Sequence, residues 1–301
     1  MTTPVIFDRR QVRRNRERAA ARMAEHGFLF DWAMQNLIDR LAVVRRKFPQ
    51  ILQIGARSKP DLTNALAEAV DAENVTVMDA PALLSRYRGS RRVAADEEAL
   101  PFAQHTFDLV VSPLSLHTVN DLPGALIQIR RCLKPDGLFL GALPGGRTLF
   151  ELRECLMEAE LAIKGGISPR VIPLADKQQA GALMQRAHYT MPVVDSDIVT
   201  VTYKDVTSMM MDLRGMGENN TVTARSRAFA GKQLWQEVEN VYKKKFAEAD
   251  GRLPATFEII FLSGWSPHES QQKPLRPGSA QHSLAEALGT TEISSGEKAR
   301  P

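Results

Sequence analysis

The chain of 301 residues has only two cysteines, Cys132 and Cys155, and no apolar run long enough to cross a bilayer. Two thiols are too few for a disulfide scaffold and fit a reducing compartment, so we expect each to pack as a small apolar side chain. A spanning helix needs about 20 apolar residues, whereas the longest runs, 107–116 and 257–265, have the character of buried strands. The sequence therefore predicts neither a disulfide scaffold nor a membrane-spanning helix within these residues.

Signatures of three other functions are also missing. The dinucleotide fingerprint G-x-G-x-x-G is absent, which disfavours NAD binding. None of the six histidines begins an H-x-D or H-x-E pair, and the cysteines lack metal-site spacing, so no metal is predicted. No aromatic residues interleave with the arginines near the N-terminus, so nucleic acid is not expected as a partner.

What the sequence has in excess is arginine near its start. Residues 9–22 hold seven arginines against one glutamate, within a helical N-terminal segment predicted over 1–48. Apolar residues recur there at steps of three and four, which predicts one helix over 9–47 packed on the domain. The arginines of Arg9–Arg22 are either a solvated helix face or a contact for an acidic protein partner or an anionic membrane surface.

Strands and helices alternate through the rest of the chain, which predicts an α/β fold with βαβ units and a parallel sheet. The run F-D-L-V-V-S is continuous and apolar, as expected for a strand buried on both faces. The predicted strands are 51–54, 75–79, 91–95, 107–112, 138–143, 192–203 and 256–264. One helix is predicted to begin at Pro60, and further helices are predicted over 121–132, 147–160, 175–187, 205–214 and 223–247.

These elements predict a main domain over 49–269, with a helical insertion at about 147–190 and 205–247. The segment 270–301 is rich in Pro, Gly, Ser and Gln. Such a composition predicts an irregular C-terminal tail, disordered beyond about 289.

Ligands of open α/β sheets bind outside the carboxyl ends of the strands, so the residues just after each strand are candidates. Asp79 ends the second strand and could accept both hydroxyls of a ribose, or cap the next helix. Asp96 could accept from an adenine amine, with the Glu97 backbone N–H on the adjacent ring nitrogen, or belong to a solvated acidic loop. His117 lies five residues past the fourth strand and is either structural or catalytic.

Three stretches carry a resemblance to a known family. They are D-E-E-A-L-P-F (96–102), T-F-D-L-V-V-S-P-L-S-L-H-T-V-N-D-L-P (106–123) and L-K-P-D-G-L-F-L-G-A (133–142). Together they resemble the middle of class I S-adenosylmethionine (SAM) methyltransferases of the type 11 kind. The resemblance implies a Rossmann-like, seven-stranded, mostly parallel sheet with a reversed last strand and helices on both faces.

Finer matches lie at I-F-D-R (6–9), R-G-M-G-E-N-N (214–220) and P-A-T-F-E-I-I-F-L-S-G-W-S-P-H-E-S-Q (254–271). These are similar to the family of methyltransferase-like assembly factors of mitochondrial respiratory complex I (assembly factor 5) and their bacterial relatives. The resemblance implies modification of an arginine on a complex I subunit, by hydroxylation in the mitochondrial member. Because I-F-D-R opens the family domain, we expect no transit peptide. This favours a bacterial cytoplasmic protein, peripheral to the inner membrane, or a processed form in the mitochondrial matrix.

The resemblance also implies a SAM site. It assigns Gly55, Ala56 and Arg57 to the methionine part. It assigns Asp79 to the ribose, Asp96 and Glu97 to the adenine, and Ser112 and Leu114 to the sulfonium side, and it includes Ala80 among the cofactor-binding residues.

The first cofactor loop departs from the family pattern. Gln53 is neutral where a carboxylate is usual, and Arg57 and Lys59 replace glycines. A non-glycine residue at positive φ costs roughly 1–2 kcal/mol, and a cation repels a sulfonium. We therefore expect SAM affinity to be weakened by about one to three orders of magnitude.

Three functions stay open at this point. The first is an enzyme that uses SAM or an oxidant to modify an arginine of a partner protein. The second is a non-catalytic assembly chaperone with a degenerate SAM site, and the third is a small-molecule methyltransferase. The lack of an obvious base does not exclude methyl transfer, because that reaction depends mainly on positioning and desolvation.

Overall fold

The computed structural model describes residues 5–228, 230–272, 279 and 283–291. The chain divides into two compact units, Met1–Pro267 and His268–Pro301. In the second unit, the described residues include one short helix, Leu284–Ala287. The disorder predicted beyond about 289 falls mostly on positions outside the described residues.

Within the described ranges, seven strands form one sheet in the order β3-β2-β1-β4-β5-β7-β6. The strands are β1 (Gln50–Ile54), β2 (Asn74–Asp79), β3 (Arg91–Ala94), β4 (Phe107–Pro113), β5 (Leu133–Pro144), β6 (Thr190–Tyr203) and β7 (Leu253–Trp265). All pairs from β3 to β5 are parallel, and β7 runs antiparallel to both β5 and β6. The predicted mostly parallel sheet with a reversed last strand is therefore confirmed.

The helices of the first unit cover both faces of this sheet. They are α1 (Arg9–Ala19), α2 (Met23–His26), α3 (Phe28–Leu41), α4 (Pro60–Ala69), α5 (Pro81–Leu84), α6 (Leu122–Cys132), α7 (Phe150–Lys164), α8 (Lys177–Arg186), α9 (Val206–Gly215) and α10 (Lys232–Phe246). The short helix of the second unit is α11 (Leu284–Ala287). Side chains alternate along β4: Leu109 and Val111 join one apolar cluster, and Val110 joins the other. This alternation follows from the period of two in a strand. None of the helices in the described ranges is long and apolar enough to span a bilayer.

The prediction of a continuous helix over 9–47 is wrong. The chain forms α1, a short 3₁₀ turn at Ala20–Arg22, then α2 and α3, and α3 ends at Leu41. A Cβ at Gly27 would lie 2.6 Å from the carbonyl oxygen of Met23, so the chain passes too close there for a larger residue. Phe48 is fully buried, and Pro49 follows it before β1. Burying Phe48 and entering the sheet require the chain to leave the helix early.

The predicted helix over 223–247 is also too long, because α10 begins only at Lys232. The residues before it anchor the N-terminal segment instead. Val222 forms a β-bridge with Phe7, and Arg225 contacts Asp8 at 3.2 Å. These partners lie more than 200 residues away, so local periodicity could not reveal them.

Candidate functional site

The turn after β1 requires glycine at its first position. Gly55 has φ of +109°, and a Cβ there would lie 2.0 Å from the Oγ of Ser115. The next backbone N–H, that of Ala56, donates to Asp79 Oδ2 at 2.8 Å. The neutral Gln53 is buried and satisfied internally: its amide donates to the Gly55 carbonyl, and Thr63 donates to its oxygen. The turn thus ties β1 to the end of β2.

Asp79 lies at the end of β2, as predicted, and is fully buried. Its Oδ1 accepts from the Ala80 N–H at 2.7 Å and lies 3.3 Å from Arg16 Nη1. Both carboxylate oxygens of Asp79 therefore already have hydrogen-bond partners from this chain.

Arg16 of α1 is buried among acceptors at the strand ends. Besides Asp79, it pairs with Glu97, and its Nη2 donates to the Ser115 carbonyl at 3.1 Å. Burial alone would lower the pKa of Arg16, but Glu97 and Asp79 raise it. Burial alone would raise the pKa of Glu97, but Arg16 and Arg9 hold it well below its usual range. Both partners are charged at neutral pH.

Arg9 closes the rim of the same site. Its Nη2 donates to Asp96 Oδ1 at 2.6 Å and also contacts Glu97. Its Nη1 donates to the Thr118 carbonyl at 3.1 Å. Of the arginines in Arg9–Arg22, Arg9 and Arg16 are thus held inward, whereas Arg10, Arg13, Arg14, Arg18 and Arg22 are exposed.

Arg57 is buried and does not carry the strain expected from the sequence. Neither Arg57 nor Lys59 has a positive φ. The guanidinium lies 4.1 Å from the ring centre of Phe30 and contacts Glu218 and the Leu114 carbonyl. Lys59, in contrast, is 62% exposed and pairs with Asp31 at 3.3 Å. The expectation of φ > 0 at these two positions is wrong because the loop turns at Gly55 alone.

Glu218 links Arg57 to His117. Its Oε2 lies 2.9 Å from His117 Nε2, while the Nδ1 of His117 is buried without a hydrogen-bond partner among the described residues. Burial would raise the pKa of Glu218, but His117 and Arg57 keep it below its ordinary value. Glu218 is a site residue that was not predicted from the sequence, although it lies within the R-G-M-G-E-N-N motif that carries the resemblance.

Two cavities flank α1. The larger, about 210 Å³, is lined mainly by apolar side chains, together with His117 and Glu218. The smaller, about 120 Å³, is lined by Asp79, Ala80, Asp96 and Glu97. Val12 and Arg16 line both, so α1 forms the wall between them.

The described conformation does not fit SAM. The carboxylates predicted to take its ribose and adenine hold Arg16 and Arg9, and the cavity beside them falls below the roughly 300 Å³ of typical ligand sites. At the predicted sulfonium side, Leu114 lines the larger cavity and its carbonyl holds Arg57. Gly55, Ala56, Arg57 and Ser112 line neither cavity. Their assignment to SAM stays a prediction.

No group of three or more His, Cys, Asp or Glu side chains within the described part of the chain could hold a metal ion.

Comparison with known proteins agrees with this fold. A family model described as a methyltransferase domain matches residues 53–141. A candidate methyltransferase from Bacillus halodurans, 15% identical, superposes with a TM-score of 0.55 and covers 78% of this chain and 99% of that chain. At this identity the likeness shows the fold alone, which is that of a Rossmann-like methyltransferase.

The full-length relatives are more specific. The mitochondrial arginine-hydroxylase NDUFAF5 of Danio rerio is 38% identical over 286 residues, which cover 93% of this chain and 89% of the relative. The chain belongs to the NDUFAF5 family. A malonyl-[acyl-carrier protein] O-methyltransferase of Halorhodospira halophila is 34% identical over 266 residues, covering 86% of this chain and 88% of that protein. The resemblance inferred from the sequence is confirmed, and names of both kinds of relative support an enzyme.

Proposed function

We propose that this protein modifies an arginine side chain of a partner protein. Its NDUFAF5 relatives are named as arginine-hydroxylases. The observation that carries the proposal is the pair Glu218 and His117 at one wall of the larger cavity. A carboxylate is the natural partner of a guanidinium, and Glu218 already binds the guanidinium of Arg57. About a quarter of its side chain remains exposed, which leaves an edge for a substrate.

The chemical roles follow from this geometry. Glu218 would orient the substrate guanidinium. His117 would hold or accept a proton beside it through Nδ1, which has no hydrogen-bond partner within the described part of the chain. The apolar remainder of the cavity would exclude water. SAM stays a predicted cofactor, because its binding requires a conformation other than the one described.

The partner follows from the resemblance, which implies a subunit of respiratory complex I. We propose that the exposed arginines of α1 contact an acidic surface of that partner or an anionic membrane. We place the protein in the bacterial cytoplasm, or in the mitochondrial matrix if it is a processed eukaryotic form.

Mass spectrometry of complex I subunits tests the proposal. We expect one arginine peptide to be heavier by an oxygen atom or a methylene group in cells that carry the gene, and unmodified in cells that lack it. Glu218→Gln and His117→Asn, each first shown to be folded by circular dichroism, should abolish the shift, whereas Glu17→Gln on the exposed face of α1 should retain it. An unchanged mass in all strains would refute the proposal.

The arginines at the strand ends favour a second function, a non-catalytic assembly chaperone. In that case complex I would assemble normally with a stably folded His117→Asn variant, and no peptide would change mass. Loss of assembly in that variant would argue against the chaperone.

A further inference from the structure

The guanidinium of Arg16 occupies a site built from three separate strand ends. Asp79 ends β2, Glu97 follows β3, and Ser115 follows β4. Each supplies an acceptor to Arg16, either a carboxylate or a backbone carbonyl. A buried cation with this set of acceptors is held by charge-assisted hydrogen bonds, which are about twice as strong as neutral ones.

The rest of α1 is fixed so that Arg16 reaches this site. Asp8 caps the helix by accepting from the Gln11 N–H, and Asn120 Oδ1 accepts from the N–H groups of Ile6 and Phe7, both at 2.8 Å. Arg9 lies seven residues before Arg16, about two helical turns away and on the same face. It contacts Asp96 and Glu97 at the rim. Two arginines of one helix therefore cover the acidic residues together.

Helix α1 also separates the two cavities. Val12 and Arg16 lie between the acidic cavity at Asp79 and Glu97 and the apolar cavity at His117. Withdrawal of α1 would remove this wall and free the carboxylates together.

We propose that α1 is an internal plug: Arg16 and Arg9 occupy the carboxylates that an adenosine cofactor would use, and a nucleoside enters only when α1 withdraws. The ribose and adenine of such a ligand offer neutral donors, which compete weakly with a guanidinium. Arg16 has a further advantage because it is part of the same chain, so it competes for the carboxylates at a high effective concentration. The affinity for a nucleoside is then reduced by the fraction of molecules in which α1 has withdrawn.

Calorimetric titration with S-adenosylhomocysteine tests the plug. This probe keeps the nucleoside but lacks the sulfonium charge, so repulsion by Arg57 does not obscure the result. Arg16→Met alone leaves Glu97 buried without its main partner, which can unfold the protein. The decisive variant is therefore Arg16→Met with Glu97→Gln, which removes both charges and retains Asp79. Arg14→Met, on the exposed face of α1, is the matched control.

We expect the double variant to bind S-adenosylhomocysteine at least about tenfold more tightly than the wild type. This factor corresponds to a wild-type protein in which α1 blocks the site in about nine-tenths or more of the molecules. The control should bind like the wild type. Wild-type binding that equals or exceeds that of the double variant would overturn the proposal, because Arg16 would then be part of the ligand site. Absence of binding to every protein would also overturn it, since removal of the plug would have opened nothing.

Amide hydrogen exchange over residues 9–19 gives a second readout. We expect saturating S-adenosylhomocysteine to speed exchange in the wild-type helix, because the ligand stabilises the withdrawn form. Binding without any change in this exchange would overturn the proposal. Both measurements need no partner protein, so they can fail or succeed independently of the proposed arginine modification.

Discussion

Replacing Glu218 by glutamine should destabilise the protein strongly, because it isolates a buried cation. The Arg57 side chain is 1% exposed, and Glu218 is its charged partner. Breaking a buried ion pair from one side costs about 3–5 kcal/mol. Because Glu218 is 23% exposed, water can screen part of the charge left on Arg57. We therefore expect a loss of about 3 kcal/mol, at the lower end of that range.

Denaturant unfolding followed by circular dichroism measures this loss at neutral pH. Glu17→Gln, which removes an exposed partner of Arg13, is the control and should change stability by less than about 0.5 kcal/mol. The double variant Arg57→Met with Glu218→Gln should lose less than the sum of the two single variants, because it leaves no unpaired charge. A loss below about 1 kcal/mol for Glu218→Gln would mean that Arg57 does not depend on Glu218 for its charge compensation.

The same substitution has a defined pH dependence. The pKa of Glu218 is lower in the folded protein than in the unfolded chain, so its contribution is complete above the unfolded value of about 4.3. It is lost as the pH falls through the folded pKa. The difference between wild type and Glu218→Gln should therefore shrink below about pH 4, and a constant difference across that range would contradict the assignment.

Four further outcomes follow from single sites. Gly55→Ala should lower unfolding free energy by about 1–3 kcal/mol, from its φ of +109° and the contact with Ser115, and an unchanged melting curve would contradict this. Lys59→Gly should leave S-adenosylhomocysteine binding unchanged within error in titration, because the side chain is exposed and paired with Asp31. Burial raises the pKa of Cys155 to about 12, so iodoacetamide should label it only after denaturation, as mass spectrometry of the native protein would show. Burial would raise the pKa of Glu160, but Arg170 and Ser168 lower it to about 2. The contribution of ionised Glu160 to the stability of the fold should therefore be complete above about pH 4.5 and be lost towards pH 2. Comparison of unfolding free energies between the wild type and Glu160→Gln across this range measures that loss.

The sheet was predictable because its signals are local. The apolar run of β4 and the carboxylate that ends β2 each lie within one short stretch of sequence. The reversed β7 came from the resemblance to methyltransferases and not from periodicity, since a strand pattern carries no direction.

The site was predictable only in part. The sequence correctly placed Asp79 and Glu97 at the ends of neighbouring strands, but it could not show that Arg16, 63 and 81 residues away, would bind them. In the sequence, the arginines of Arg9–Arg22 fit a solvated helix face equally well. Glu218 was missed for a similar reason: its partners Arg57 and His117 are 161 and 101 residues distant. Long-range charge pairs leave no periodic trace.

A crystal structure of the wild-type protein grown with excess S-adenosylhomocysteine tests most directly whether α1 and a nucleoside exclude each other. We expect one of two linked states: Arg16 on Asp79 and Glu97 with no nucleoside, or a nucleoside on Asp79 with α1 displaced. A nucleoside bound at Asp79 while Arg16 still pairs with Glu97 would contradict this expectation.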